Sequence, residues 1–297
     1  MPQTIGFVGV GIMGKPMAEN VLDAGFDVVV HNRSREAVDS LAELGATAAS
    51  APSAVASQAD VVVTVLPDTE AVEEVVYGDD GLADGFDSGD VLIDMSTISP
   101  VATERLSEEL EAGGVSMLDA PVSGGEEGAR DGSLSIMVGG SRETFDAHAS
   151  LFAAMGSTVT YCGDAGAGQI TKACNQIVVG CTLQAVSEAL VLAQRAGADL
   201  EAVVDAISGG AAGCWALRER APRVIRGNFD PGFFASYQYK DLRIATAAGE
   251  EYGSPMPATS VVHEAYKAME TSGYGRDDHS AVIKILEDTV DEAARIE

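Results

Sequence analysis

The sequence predicts an α/β domain built on a doubly wound, parallel sheet, followed by an all-α domain. Three observations predict it. Short, continuous Val/Ile runs alternate with helical patterns through the first half of the chain. A glycine-rich turn joins the first such run to the first helix. After about residue 164 the strand signals stop and only helical patterns remain.

Taken in order, "TIGFVGV" (4–10) reads as a strand, followed by a helix ending at Gly25, the strand "DVVVH" (27–31) and a helix ending at Gly45. "DVVVTVL" (60–66) and "DVLIDMS" (90–96) follow as strands, the second leading into a helix from about Pro100 to Gly113. Unbroken β-branched runs, rather than alternating ones, suit strands covered on both faces, and strand–helix alternation points to a doubly wound sheet. "SMLDAPVS" (116–123), "LSIMVGG" (134–140) and "STVTYCG" (157–163) extend that sheet. "QITKACNQIVVGCTLQAVSEALVLAQRAG" (169–197) then reads as one long helix closed by Gly197, the expected stop just past the last periodic residue. Pro222, Pro231, Pro255 and Pro257 mark breaks between the later helices. The expected domains are residues 1–163 and 164–297.

Composition narrows the function classes. The 297 residues carry 46 acidic against 18 basic side chains, a net charge of −28 with a pI near 4.2. A phosphate backbone or anionic membrane surface needs clustered Lys and Arg, so neither nucleic acid nor membrane is expected as a partner. Acid abundance with only five lysines suggests a high-salt, halophilic cytoplasm, where screening relieves self-repulsion. Cys162, Cys174, Cys181 and Cys214 show no metal or redox spacing and are expected as reduced, half-buried thiols. His31, His148, His263 and His279 lack metal-ligand spacing, so no metal is expected. No basic segment precedes the first strand, and Gln184, Ser187 and Glu188 interrupt the longest apolar stretch, so neither a signal peptide nor a membrane span is expected.

"FVGVGIMGKPMAENVL" sets Gly9, Gly11 and Gly14 as G-x-G-x-x-G between a strand and a helix, with Ile12 and Met13 inside the turn. The glycines permit a tight turn, close approach to a pyrophosphate and close helix–strand packing. The helix N-terminus adds unpaired N–H groups and a positive dipole end. A Rossmann-like dinucleotide site is therefore expected. At the end of the second strand, where NAD binders place a carboxylate for the ribose, the sequence has His31-Asn32-Arg33-Ser34. Arg33 can pair with a 2′-phosphate, and Asn32 and Ser34 can donate to it, favouring NADP over NAD. Asn32 or Ser34 can equally serve as the N-cap of the next helix.

"GVGIMGKPMAENV", "DAPVSGGEEGARDGSLSIMVGG", "GAGQITKACNQ" and "YKDL" occur in this order along essentially the whole chain. Together they closely resemble the β-hydroxyacid dehydrogenases, the family of 3-hydroxyisobutyrate dehydrogenase and tartronate semialdehyde reductase (2-hydroxy-3-oxopropionate reductase). The resemblance implies an NAD(P)-dependent oxidoreductase interconverting a short 3-hydroxy acid and its semialdehyde. It implies substrate binding at Ser123, Gly124 and Gly125, and Leu66, Pro67 and Thr97 beside the cofactor. The family's catalytic lysine falls on Lys172. Carbonyl reduction needs a proton on oxygen, so a general acid is required, and oxidation needs the same group as base. A lysine withdrawn from water holds its proton less tightly and can serve both directions. Asn175 and Gln176 lie three and four residues on, on the same helical face, and either amide can position the substrate, with the shorter Asn175 favoured. Phe233 or Phe234, Lys240 and Asp241 fall in the cofactor-side motif, and Asp278 and Ser280 in a C-terminal one. The family forms homodimers and homotetramers through its helical half.

Residues 209–233 resemble tartronate semialdehyde reductase, whereas Cys214-Trp215 resembles hydroxyisobutyrate dehydrogenase, so the substrate stays open between them. Two alternatives share the fold: 6-phosphogluconate dehydrogenase, disfavoured by the absence of a longer C-terminal domain and a basic phosphate site, and imine reduction, which generally lacks this lysine. A third is a non-catalytic NADP-binding module, against which Lys172 and Asn175 argue.

Overall fold

The computed structural model describes residues 3–296. They form two compact units that divide between Lys172 and Ala173, inside one continuous helix and later than the expected boundary at 163/164. The first turn of that helix is bound to the first unit through Gln169, which explains the later division.

The first unit is one nine-stranded sheet. Its strands are β1 (Thr4–Val8), β2 (Asp27–His31), β3 (Thr47–Ala48), β4 (Val61–Thr64), β5 (Val91–Asp94), β6 (Ser116–Asp119), β7 (Val122–Ser123), β8 (Leu134–Gly140) and β9 (Gly156–Gly163). The order is β3-β2-β1-β4-β5-β6-β8-β7, with β9 on β8. From β3 to β6 every pairing is parallel, and every residue of β4 and β5 is buried, as unbroken apolar runs require. The fully parallel expectation fails at the far side: β8 runs antiparallel to β6 and β7, and β9 parallel to β8. The predicted strand 116–123 is broken at Ala120-Pro121, because proline has no N–H for the ladder.

Helices cover this sheet on both faces, with separate apolar clusters around Phe7, Met17 and Phe152 and around Val55, Leu92 and Leu106. The helix Pro100–Ala112 starts with Ser99 capping Ala102 and proline in its first turn, the arrangement that leaves no N–H wasted. The helix Thr69–Tyr77, which the sequence reading passes over, is capped by Asp68. Four shorter helices (Pro52–Ala56, Gly125–Arg130, Arg142–Ala147 and Ala149–Met155) also lack a readable period, being under two turns or nearly so.

In the second unit, no strand occurs among the described residues beyond a single bridge between Phe234 and Asp278. The long helix Ala167–Arg195 ends as predicted: Gly197 has φ +72°, and Ala198 N–H reaches back to Ala193 O, satisfying carbonyls the helix leaves open. Its most apolar stretch has a mean hydropathy of 1.6, so by length and composition alone it is long and apolar enough to cross a membrane despite Gln184, Ser187 and Glu188. Core helices of globular proteins share that property, and this one buries Gln176, Gln184 and Ser187 along its length. The helices Leu200–Ser208, Ala221–Ile225, Ala235–Glu251, Pro257–Thr271 and Ile283–Val290 complete the unit around Leu183, Leu217, Leu242 and Tyr266. Of the cysteines expected half-buried, Cys174 is exposed and the other three are intermediate.

Candidate active site

The glycine turn divides its labour among three positions. Gly9 has φ +96°, and a Cβ there would meet Val65 O at 2.3 Å. A Cβ on Gly14 would meet Gly9 O at 2.0 Å, so only glycine lets the helix start this close to the strand. Gly11 is different: nothing lies within 4 Å of its Cβ position, and it is exposed together with Ile12, leaving its backbone open to a ligand. The following helix, Gly14–Asp23, begins at Met13 with no side-chain cap and no acidic residue in its first turn. That set of backbone donors and that dipole end fit a pyrophosphate.

At the end of β2, Arg33 and Ser34 are exposed and Asn32 is half-buried. Arg33 forms no ion pair among the described residues. Asn32 Nδ2 donates to Ser34 Oγ at 2.8 Å and to Ser34 O at 3.2 Å. Ser34 occupies the N-cap position of the helix Arg35–Glu43 without a capping bond of its own. The hydroxyl is thus turned to Asn32, and the loop keeps a polar, cationic rim.

At the far ends of β4, β5 and β6 a chain of hydrogen bonds, most of them buried, ties the segments that carry Leu66, Pro67 and Thr97 to the start of the long helix. Thr64 Oγ1 donates to Asp94 Oδ1 at 2.8 Å, and Ser96 N–H donates to the same oxygen at 3.2 Å. Leu66 N–H donates to Ser96 Oγ at 2.8 Å, which fixes the half-buried Leu66 beside the exposed Pro67. Half-buried Thr97 lies between Ser96 and Ile98, and both neighbours are bound by Gln169. Asp119, fully buried, accepts from Gly166 N–H and Gln169 N–H, each at 2.8 Å. Burial drives the Asp119 carboxyl up to about 7; the two N–H donors oppose this and Asp94 adds to it.

Ser123 ends β7, half-buried, and Gly124 and Gly125 follow with φ +142° and +65°, a backbone that other residues rarely adopt. Lys172 is only 5% exposed, one turn after Gln169 on the long helix.

In the second unit, side chains hold one another. Gln176 Nε2 donates to Asp241 Oδ2 at 2.7 Å and to Gln238 Oε1 at 3.2 Å, and its Oε1 accepts from Asn175 Nδ2 at 2.7 Å. Gln238 Nε2 donates to Gln176 O at 3.0 Å. Lys240 Nζ pairs with Asp241 Oδ1 at 3.2 Å. Gln176 is therefore committed within the helical packing, whereas Asn175 stays half-buried.

A second cluster in this unit carries Asp278, which sequence reasoning placed in a motif without a role. It accepts from Gly232 N–H at 2.9 Å and Ser280 Oγ at 2.6 Å and faces Arg220 Nε at 3.3 Å. Burial raises its pKa, but His279, Ser280, Arg220 and Gly232 outweigh that and hold the carboxyl below its usual range. Arg220 lies over the Trp215 ring at 4.4 Å, at the end of a π-helical turn, Ala216–Arg220. Trp215, Arg220, Gln169, Asp119, Asp94 and Ser96 were all missed as contributors by the sequence reading. Each lies in a stretch that the sequence singles out, Asp94 and Ser96 in residues 90–96, Asp119 and Gln169 in the family motifs, and Trp215 and Arg220 in residues 209–233, but none of those stretches assigns it a role. Among the described residues no group of three or more His, Cys, Asp or Glu is placed to hold a metal.

Comparison with known proteins accords with this geometry. Residues 4–163 match the NAD binding domain of 6-phosphogluconate dehydrogenase, and residues 166–286 match the NAD-binding region of NADP-dependent 3-hydroxyisobutyrate dehydrogenase. The 2-hydroxy-3-oxopropionate reductase of Escherichia coli is 40% identical over 95% of this chain and 97% of its own. An uncharacterized oxidoreductase of Bacillus subtilis is 39% identical over 96% of this chain and 99% of its own. The solved 3-hydroxyisobutyrate dehydrogenase of Mycobacterium tuberculosis, studied with L-serine, is 34% identical with a TM-score of 0.90, covering 96% of this chain and 99% of that one. Imine reductases from Pseudomonas and other bacteria share the fold at 18–24% identity. With both halves matched and relatives alike along nearly their whole length, this chain belongs to the NAD(P)-dependent β-hydroxyacid dehydrogenase family, that of 3-hydroxyisobutyrate dehydrogenase and 2-hydroxy-3-oxopropionate reductase.

Proposed function

We propose that this chain interconverts a short 3-hydroxy acid and its semialdehyde, with NADP(H) preferred over NAD(H) and Lys172 exchanging the proton. The observation that carries the reading is a lysine only 5% exposed in a protein with five, on the motif helix and one turn from the residue that binds both flanks of Thr97. Burying a lysine is costly, and a buried one in such a setting is a candidate acid–base group.

Gly9, Gly11, Gly14 and the uncapped helix start hold the pyrophosphate, with Ile12 and Met13 flanking it. Arg33, with Asn32 and Ser34, receives the 2′-phosphate. Leu66, Pro67, Thr97 and Lys240 shape the nicotinamide side. When bound, the cofactor accepts or supplies the hydride. Ser123, Gly124 and Gly125 bind the substrate carboxylate through the Ser123 hydroxyl and backbone N–H groups. Lys172 takes the hydroxyl proton during oxidation and returns it to the carbonyl oxygen during reduction. Asn175 holds that oxygen in place, since the Gln176 amide is engaged by Asp241 and Gln238. Similarity to the Escherichia coli reductase favours 2-hydroxy-3-oxopropionate as the substrate, similarity to the Mycobacterium tuberculosis structure favours 3-hydroxyisobutyrate, and the substrate panel below decides between them. The exposed Val178, Leu192 and Val261 of the helical unit support a homodimer or homotetramer, and the acid-rich composition supports a salt-rich cytoplasm.

The test is a panel of short 3-hydroxy acids and semialdehydes assayed in high salt with NADP(H) and NAD(H). Lys172→Ala should keep cofactor binding while kcat falls ~10²–10⁴-fold. An unchanged kcat would reject the lysine's role.

A further inference from the structure

Gln169 is 1% exposed and turns both its amide nitrogen and its amide oxygen to one three-residue segment. Its Nε2 donates to Ser96 O at 2.8 Å, and its Oε1 accepts from Ile98 N–H at 3.1 Å. The residue between those two is Thr97. The main chain of Gln169 is fixed as well, its N–H donating to Asp119 Oδ2 at 2.8 Å while Gly166 N–H occupies Oδ1. The packing leaves no slack: a Cβ on Gly168 would meet Met137 O at 2.5 Å and Asp119 O at 2.6 Å, and one on Gly139 would meet Asp119 Oδ1 at 2.5 Å. Lys172 follows Gln169 by three residues on the same helix, so it lies on the same face, one turn on.

We propose that Gln169 is a positioning residue for the hydride-transfer step: it clamps the backbone on either side of Thr97 to the helix that carries Lys172. Fixed by Asp119 at its main chain and by Ser96 and Ile98 at its side chain, it holds the lysine and the Thr97 loop at one separation. Hydride and proton transfer need both within a narrow range, and a displacement of about 1 Å can cost ~10²-fold in rate. An ordinary buried hydrogen bond would contribute to stability alone. This one joins two segments that each carry a predicted site residue, and neither segment touches the other in sequence. The inference rests on the acid–base reading of Lys172.

The experiment compares Gln169→Leu, Gln169→Glu and Lys172→Ala by steady-state kinetics, NADPH titration and thermal unfolding. Gln169→Leu, close in volume but without donor or acceptor, should lower kcat ~10–10²-fold with KM for the hydroxy acid and cofactor Kd unchanged. Gln169→Glu separates positioning from packing. The protonated carboxyl offers the one donor and one acceptor that the amide uses here, whereas the ionised one presents only acceptors to the Ser96 carbonyl. The ratio of its kcat to that of the wild type should therefore rise as pH falls. A lower melting temperature with wild-type kcat in Gln169→Leu, while Lys172→Ala is inactive, overturns this inference and leaves the lysine reading intact. Full activity in Lys172→Ala overturns the lysine reading, and this inference with it. Should Gln169→Leu fail to fold, the Gln169→Glu series decides alone: a ratio that is flat with pH overturns the positioning role.

Discussion

The two units hold their functional groups by different means. In the first, the glycine turn proposed to hold the dinucleotide works through backbone: Gly9 and Gly14 allow a close approach of helix and strand, Gly11 is left open, and the helix beyond starts uncapped. In the second, Gln176 depends on side chains 62 and 65 residues away, Gln238 and Asp241, and Asp241 in turn pairs with Lys240. A backbone device needs a few residues adjacent in sequence, so it is compact and readable. A side-chain network needs the tertiary fold first, and loss of one member leaves the others buried without partners. The Asp94–Ser96–Gln169–Asp119 chain in the first unit belongs to the second kind, although it serves loops of the first.

Three experiments would break or sharpen that contrast. The largest expected effect is on the side-chain network. Asp241→Ala strips a buried acceptor from Gln176 and the ion-pair partner from Lys240, and should cost about 2–3 kcal/mol in denaturant unfolding. A loss no greater than that of an exposed substitution would show the network to be dispensable. A binding effect of similar or smaller size is expected at the rim of the cofactor turn. On the proposed reading of the NADP site, Arg33→Ala removes a charge-assisted contact to the 2′-phosphate, worth about 1.5–3 kcal/mol, and should weaken NADPH ~10–100-fold, far more than NADH. Equal losses for the two cofactors would reject the phosphate assignment.

The smallest effect concerns pH. Burial raises the Asp119 carboxyl to about 7, well above its unfolded value, so the folded state retains a proton that the unfolded chain releases between those values. The stability linked to that proton is fully present below the ordinary carboxylate range and is lost as pH rises through about 7. Asp119→Asn cannot titrate there. The difference in melting temperature between wild type and variant should therefore shrink from pH 4 to pH 8. A constant difference would show that Asp119 keeps an ordinary carboxylate pKa.

Much of the first unit was legible because its signals are local. Short runs rich in Val, Ile and other apolar residues predict β1, β2, β4 and β5, and the strand–glycine–helix order at Gly9 to Gly14 predicts the glycine turn. The reversal at β8 was not legible, since strand direction depends on where the chain returns rather than on which residues form the strand. Lys172, Asn175 and Gln176 were readable as one motif, but only the fold separates the two amides. Gln176 is 3% exposed and bound on both sides, whereas Asn175 is half-buried. Gln169 stood in the same motif without distinction, because its partners Ser96 and Ile98 lie more than 70 residues upstream.

By itself the sequence determined the fold class, the glycine turn, the extent of the long helix and the identity of the acid–base candidate. The first three are set by propensity, periodicity or spacing within a few turns of chain, whereas the acid–base candidate is what the resemblance of its motif to the family implies. The tertiary structure alone decided that Gln169 spans Thr97, that Gln176 is committed to Asp241, and that Asp119 is buried enough to hold a proton near neutrality. Those are properties of desolvated polar groups, whose energy is fixed by partners brought in from distant segments and by the water excluded when they meet.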